Sequence, residues 1–119
     1  MLFRSDHVYT IPPNKQLTID DGRLHLAPRS EAPSHHKPFD RFLHSLAIDC
    51  QERAVAVVLS GYDGDGSKGF VTIKEHGGIT YAQDRSAIVD QMPQHAMATG
   101  CVDYVLNPGQ IAERIYLQN

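Results

Sequence analysis

Ser60-Gly61-Tyr62-Asp63-Gly64-Asp65-Gly66 sets two carboxylates among three glycines, between an apolar run (Ala54 to Leu59) and a stretch of helical character (Lys68 to His76). Carboxylates at a strand end beside a helix start can do four kinds of work. They can cap the helix and shape an Asx-turn, ligate a cation, line a phosphate cradle, or orient a histidine that acts as a base. A phosphate cradle needs the spacing G-x-x-x-x-G-K-[ST]; Lys68 is present, but that spacing is not, and two aspartates repel phosphate. Asp63 to Gly66 matches D-x-D-G of a calcium loop, yet the first and twelfth ligands of an EF-hand are not both supplied. Asp65 is the stronger candidate for a specific role: it precedes Ser67 by two residues, so backbone N–H groups near the helix start can hold it while it points inward. Capping and orienting a histidine both remain open on the loop alone.

The elements that position this loop are legible from periodicity. Ala54 to Leu59 is too short for a helix and rich in β-branched residues, the pattern of a parallel strand buried on both faces. Strand, glycine-rich loop and helix form the unit whose chemistry lies at the strand's carboxyl end. Upstream, His7 to Ile11 reads as a short β-rich run ended by Pro12-Pro13-Asn14, and Asp20-Asp21-Gly22 between Leu17-Thr18-Ile19 and Arg23 to Leu26 predicts a β-hairpin within residues 7–27. After the polar, proline-containing stretch from Ala27 to Lys37, Phe39, Phe42, Leu43, Leu46, Ala47 and Cys50 mark one face of a helix over Pro38 to Gln51, with Asp40 at its positive end. Gly77-Gly78 ends the helix after the loop, Ile79 to Ala82 is a second strand, and Gln83-Asp84 closes it at the loop's edge of the sheet. A short turn or helical segment over Ser86 to Asp90, a helix from Met92 to Thr99, a third strand from Cys101 to Leu106 and a final helix from Pro108 follow, the last with Ile111, Ala112 and Ile115 on one face. The fold class is α/β: a Rossmann-like three-layer arrangement of helix and β-α units over residues 38–117, its strands parallel and its crossovers right-handed, plus the hairpin.

With these elements in view, LSGYDGDGSKG, IKEHGGITYAQD and MPQHAMATGCVDYVLNPGQIAERI together resemble the C-terminal part of the catalytic domain of CheB-type chemotaxis protein-glutamate methylesterases. HVYTIPPNKQLTIDDGRLHL is similar to that family's hairpin segment, particularly in forms fused to a methyltransferase, and the resemblance implies that the hairpin projects beside the active-site face. It implies hydrolysis of glutamyl methyl esters on chemoreceptors through a Ser-His-Asp triad, without metal or other cofactor. Aligning S/T-G-M-G-x-D-G with Ser60 to Gly66 carries the triad acid onto Asp65. The same alignment gives Tyr62 the position whose backbone amide faces the oxyanion, and leaves room for substrate at Gly61, Gly64 and Gly66. Asp63 stands where the family has Gly, adding a charge beside the oxyanion position. The nucleophilic Ser and the His belong to family segments N-terminal to the matched region, so this reading expects them to come from outside these residues. A rebuilt Ser60–His95 dyad is the weaker option, since Ser60 is not on a G-x-S-x-G elbow.

Composition bounds the alternatives. A 119-residue chain of 13.2 kDa with 41% hydrophobic and 21% charged residues suits one compact domain, expected here as a partial methylesterase domain. A net charge of -3 argues against a nucleic-acid partner, and no apolar run is long enough for membrane insertion, so the cytoplasm is the expected compartment. His36, Asp40 and His44 recur every four residues, but Pro38 takes Lys37 out of helical angles and His36 with it, and solvated histidines are preferred to a metal site. Cys50 and Cys101 lack C-x-x-C spacing and are expected as free thiols. The Ala54–Leu59 edge, without the strands the family places beside it, is expected to pair with a separately supplied segment or with a second copy. The competing function is an inactive interaction or oligomerisation module derived from the same domain.

Overall fold

The computed structural model describes residues 7–29 and 37–118. Strands β1 (Lys15–Asp20) and β2 (Arg23–Pro28) form an antiparallel hairpin, with Asp20 opposite Arg23 across the turn. Asp21 (φ 50°) and Gly22 (φ 71°) both turn left-handed there, as a two-residue hairpin turn requires. Helix α1 (Pro38–Cys50) holds this turn from outside: Asp49 Oδ1 accepts the Asp21 amide at 2.7 Å and Oδ2 the Gly22 amide at 3.1 Å. Ser45 Oγ accepts the Ile19 amide at 3.0 Å. Leu17, Ile19 and Leu24 bury themselves against Phe42 and Leu46 of α1, so the hairpin has a small core of its own.

A short 3₁₀ turn (Gln51–Arg53) leads into the second sheet, β3 (Val55–Val58), β4 (Ile79–Gln83) and β5 (Tyr104–Leu106), parallel and in the order β3-β4-β5. Helices α2 (Ser67–Glu75), α3 (Gln91–Ala98) and α4 (Pro108–Gln118) follow the three strands in turn. Ala47, Ala56, Val58, Phe70, Ile73, Ala82 and Ala96 make the core between the sheet and the helices α1, α2 and α3. On the opposite face Tyr81 is wholly buried beneath Tyr104, the rings 5.3 Å apart, and the Arg114 guanidinium of α4 lies 3.9 Å above the Tyr104 ring.

Four expectations are corrected. The Ala54–Leu59 run is not covered on both faces: Val55, Val57 and Leu59 are 38%, 39% and 47% exposed, because α4 packs on β4 and stops short of β3, which is an edge strand. His7 to Ile11 forms no strand; Tyr9 and Ile11 pack on the hairpin core. The third strand is only Tyr104–Leu106, since Cys101 and Asp103 are tied instead to Thr80: its hydroxyl donates to Cys101 O at 2.6 Å, and its amide donates to Asp103 Oδ2 at 2.9 Å. In α4 Ile111 is buried, whereas Ala112 faces solvent. Cys50 and Cys101 are free thiols, and burial together with Asp49 pushes the Cys50 thiol up.

Candidate active site

The Gly-Asp loop leaves β3 at the carboxyl edge of the sheet and is laced to the segment after β4. Gln83, buried at the end of β4, accepts the Ser60 amide on Oε1 at 2.8 Å and donates through Nε2 to Ser86 Oγ. Ser60 Oγ accepts the Val89 amide at 2.9 Å, and Gly61 N–H donates to Val89 O at 2.8 Å. Gly61 O accepts the Met92 amide, and Gln91 Oε1 accepts the Asp63 amide. A side chain at Gly61 would run into Met92 Sδ, so glycine there permits the close approach. Asp63 adopts φ 62° and its Oδ1 accepts the Asp65 amide at 2.7 Å, an Asx-turn in which aspartate tolerates the left-handed geometry.

Asp65 is 7% exposed. Its two oxygens are turned to the start of α1 rather than to its own helix: Oδ2 accepts the Phe39 amide at 3.0 Å and Oδ1 the Asp40 amide at 2.9 Å. The reverse contact closes the pair, since Asp40 Oδ1 accepts both the Gly66 and the Gly69 amides of α2 at 2.9 Å. Each helix is therefore capped by a carboxylate belonging to the other's N-terminal segment. Gly66, at φ 104°, makes the turn that lets Asp65 face α1 while the chain enters α2. Burial pushes the Asp65 carboxyl above the ordinary aspartate value and the neighbouring Asp40 charge adds to this, against the two amides and Lys37, which pull it down.

Asp65 also lines a groove of about 280 Å³ along β3, with Phe39, Leu43, Val58, Leu59 and Ser60. An ionised carboxylate has about four acceptor positions, so each oxygen that takes one amide keeps capacity for another donor. The Tyr62 side chain is 70% exposed, and its backbone N–H donates to no group among the described residues. Gly64 abuts the His95 ring, whose Cγ would lie 3.1 Å from a side-chain carbon placed there.

Ser60 and His95 are not brought together as a dyad: the Ser60 hydroxyl holds the Val89 amide, and His95 Nδ1 is 2.7 Å from Gln91 O. No metal cluster occurs among the described residues; Asp40 is occupied with α2, and His35 and His36 lie outside those residues. The residues that sequence reasoning missed are the anchors. Asp40 reads as a charge on the positive end of α1, whereas its side chain caps α2; Gln83 and Gln91 carried no signal beyond a polar residue near a strand end or helix start.

The parallel sheet with a buried carboxylate on the loop after β3 defines an α/β domain of the class that gathers its polar groups at the carboxyl ends of the strands. Comparison with known proteins narrows this. The family model for CheB methylesterase matches residues 1–115, and the chain belongs to that family. It is 33% identical over 115 residues to a protein-glutamate methylesterase/protein-glutamine glutaminase of Geobacter metallireducens, covering 92% of this chain and 32% of that protein. It is 34% identical over 112 residues to a putative enzyme of the same name from Leptospira interrogans, covering 92% of this chain and 58% of that one. An uncharacterized 104.1 kDa protein of Rhodobacter capsulatus is 41% identical over 107 residues, 89% of this chain and 11% of that protein. The crystal structure of the Thermotoga maritima CheB methylesterase catalytic domain superposes with a TM-score of 0.78 at 27% identity, over 91% of this chain and 60% of that one. The chain thus spans no more than about three-fifths of the length of these relatives.

Proposed function

We propose that this chain carries the acid-bearing portion of a protein-glutamate methylesterase site, with Asp65 as the triad acid. The observation that supports this most is the placement of a nearly buried carboxylate in the groove beside the edge of β3 that pairs with no strand among the described residues. A strand seated on that edge brings its own carboxyl-end loop to the same rim, where an imidazole N–H can reach a remaining lone pair of Asp65. The imidazole takes the proton of a serine as that serine attacks the glutamyl ester, and returns it to the departing methanol; water then releases the glutamate carboxylate. The Tyr62 N–H, which donates to no group among the described residues, is the donor assigned to the oxyanion, and Gly61, Gly64 and Gly66 keep the loop open to substrate. Asp63 has its Oδ1 on the Asp65 amide, which draws part of its charge away from that position.

The serine and histidine are assigned to a segment that pairs with β3, and the uncovered Val55, Val57 and Leu59 suit either such a segment or a second copy as its neighbour. The substrates of this reading are methylated chemoreceptors, modified in the cytoplasm as part of chemotaxis signal transduction and its phosphorelay. Acyl transfer from glutamine side chains to water needs the same groups, in keeping with the double name of the relatives. These relatives favour the esterase over an inactive module. No helix among the described residues is long and apolar enough to cross a membrane.

The test is a chimera in which residues 37–118 replace the matching part of the Thermotoga maritima catalytic domain. Methanol release from methylated receptor is expected, and its loss in Asp65→Ala. A folded chimera that does not turn over, or that turns over equally well with Asp65→Ala, would refute the assignment.

A further inference from the structure

Along the loop after β3, the backbone amides from Ser60 to Asp63 are shared out among groups lying between the end of β4 and the start of α3. Ser60 N–H goes to Gln83 Oε1 at 2.8 Å, Gly61 N–H to Val89 O at 2.8 Å and Asp63 N–H to Gln91 Oε1 at 3.0 Å. Tyr62 N–H, inside this row, donates to no group among the described residues. Its direction is set through the carbonyl of the same peptide. Gly61 O accepts the Met92 amide at 3.1 Å, and in a trans peptide C=O and N–H point opposite ways, so the Tyr62 N–H is turned away from the start of α3. The next peptide, between Tyr62 and Asp63, is gripped by the Gln91 side chain. Two successive residues of α3 therefore hold the chain on both sides of Tyr62, and Gln91, as the first residue of that helix, does so from a backbone the helix steadies.

We propose that Gln91 is a positioning residue for ester hydrolysis, its side-chain carbonyl clamping the Asp63 amide so that the neighbouring Tyr62 N–H stays aimed where the oxyanion forms. The inference rests on the esterase reading, which makes Tyr62 N–H the oxyanion donor, and adds what holds that donor in place. A donor already aimed needs no reorganisation when charge develops, whereas a loose peptide must be turned toward it. A glutamine carbonyl accepts an amide without bringing a negative charge beside the oxyanion. Magnitude separates positioning from donation. Losing an oxyanion donor outright costs about 10²–10³ in kcat; losing one hydrogen bond that favours the productive loop conformer costs roughly two- to tenfold.

The first measurement needs no activity: the order parameter of the Tyr62 amide, from NMR relaxation of the whole chain. About 0.85, the value of rigid backbone, is expected in wild type, in Gln94→Ala on the same helix and in Gln91→Glu, which keeps an acceptor; a fall toward about 0.6 is expected in Gln91→Ala. Gln91 and Gln94 are both exposed, so neither alanine variant empties the core. The second measurement is ester cleavage by the chimera. Gln91→Ala is expected to lower kcat roughly two- to tenfold with KM unchanged, because the oxyanion exists only beyond the ground state, and Gln94→Ala to leave both alone. A Tyr62 amide equally rigid in Gln91→Ala, or an unmoved kcat while the parent chimera turns over, overturns the proposal and leaves the esterase reading standing. A parent chimera without turnover brings down the esterase reading and the catalytic role of Gln91 with it, even where Gln91→Ala loosens the loop.

Discussion

The reciprocal caps make an asymmetric prediction about amide isosteres. Asp40 accepts both of its amides on one oxygen, Oδ1, whereas Asp65 spends one oxygen on each. Asparagine keeps one acceptor oxygen and replaces the other with an NH₂ that has no lone pair to offer. In Asp40→Asn that single oxygen can still hold Gly66 and Gly69, and only the charge at the α2 start is lost, about 0.3–1 kcal/mol, offset in part by relief of repulsion with Asp65. In Asp65→Asn the NH₂ must face a backbone N–H, so a charge-assisted bond worth about 1.5–3 kcal/mol is lost and a buried donor is left unmatched. The expected costs are therefore under about 1 kcal/mol for Asp40→Asn, about 3 for Asp65→Asn, and about 2–3 for Asp40→Ala, which removes both bonds to α2. Urea unfolding at neutral pH, with the slope checked for constancy, reads these differences directly. If Asp40→Asn is as damaging as Asp40→Ala, or Asp65→Asn matches wild type, the division of amides between oxygens does not govern stability and the reciprocal-cap argument is wrong.

Two further outcomes follow from other parts of the fold. Burial works against the Asp103 carboxylate, but Lys74 at 2.8 Å, the Thr80 amide and the Thr80 hydroxyl together hold it below the ordinary value of 3.8. Its contribution is thus whole above that value and fades as pH falls through the lower folded one; Asp103→Asn should flatten this limb of an acid titration followed by circular dichroism, and an unchanged limb would count against it. Asp65, whose carboxyl is raised, has the opposite sign: the protonated form is favoured in the fold, and that contribution is lost as pH rises through the raised value. At the edge of β3, the exposed Val55 and Val57 predict concentration-dependent self-association of the chain in equilibrium sedimentation, reduced by Val57→Lys. A stable monomer at high concentration would remove the case for edge pairing.

Local pattern carried far in this chain. The β-branched run before three glycines marked β3, Asp-Gly between alternating segments marked the hairpin, and apolar spacing with Pro38 at the first turn marked α1, because backbone geometry at these points depends on the residues themselves. The shortening of β5 was not legible, since it depends on the Asp103 carboxylate accepting the amide of Thr80, 23 residues away. Nor was the open face of β3, because an apolar run records that a face avoids water and not which element covers it.

Sequence alone determined that the carboxylates lie on a glycine-rich loop between a strand and a helix, since residue type and spacing fix that much. Which amides Asp65 would hold was decided only by tertiary structure. Its partners are 25 and 26 residues away in the chain, and they meet it because α1 and α2 pack side by side with their N-termini at one rim of the sheet.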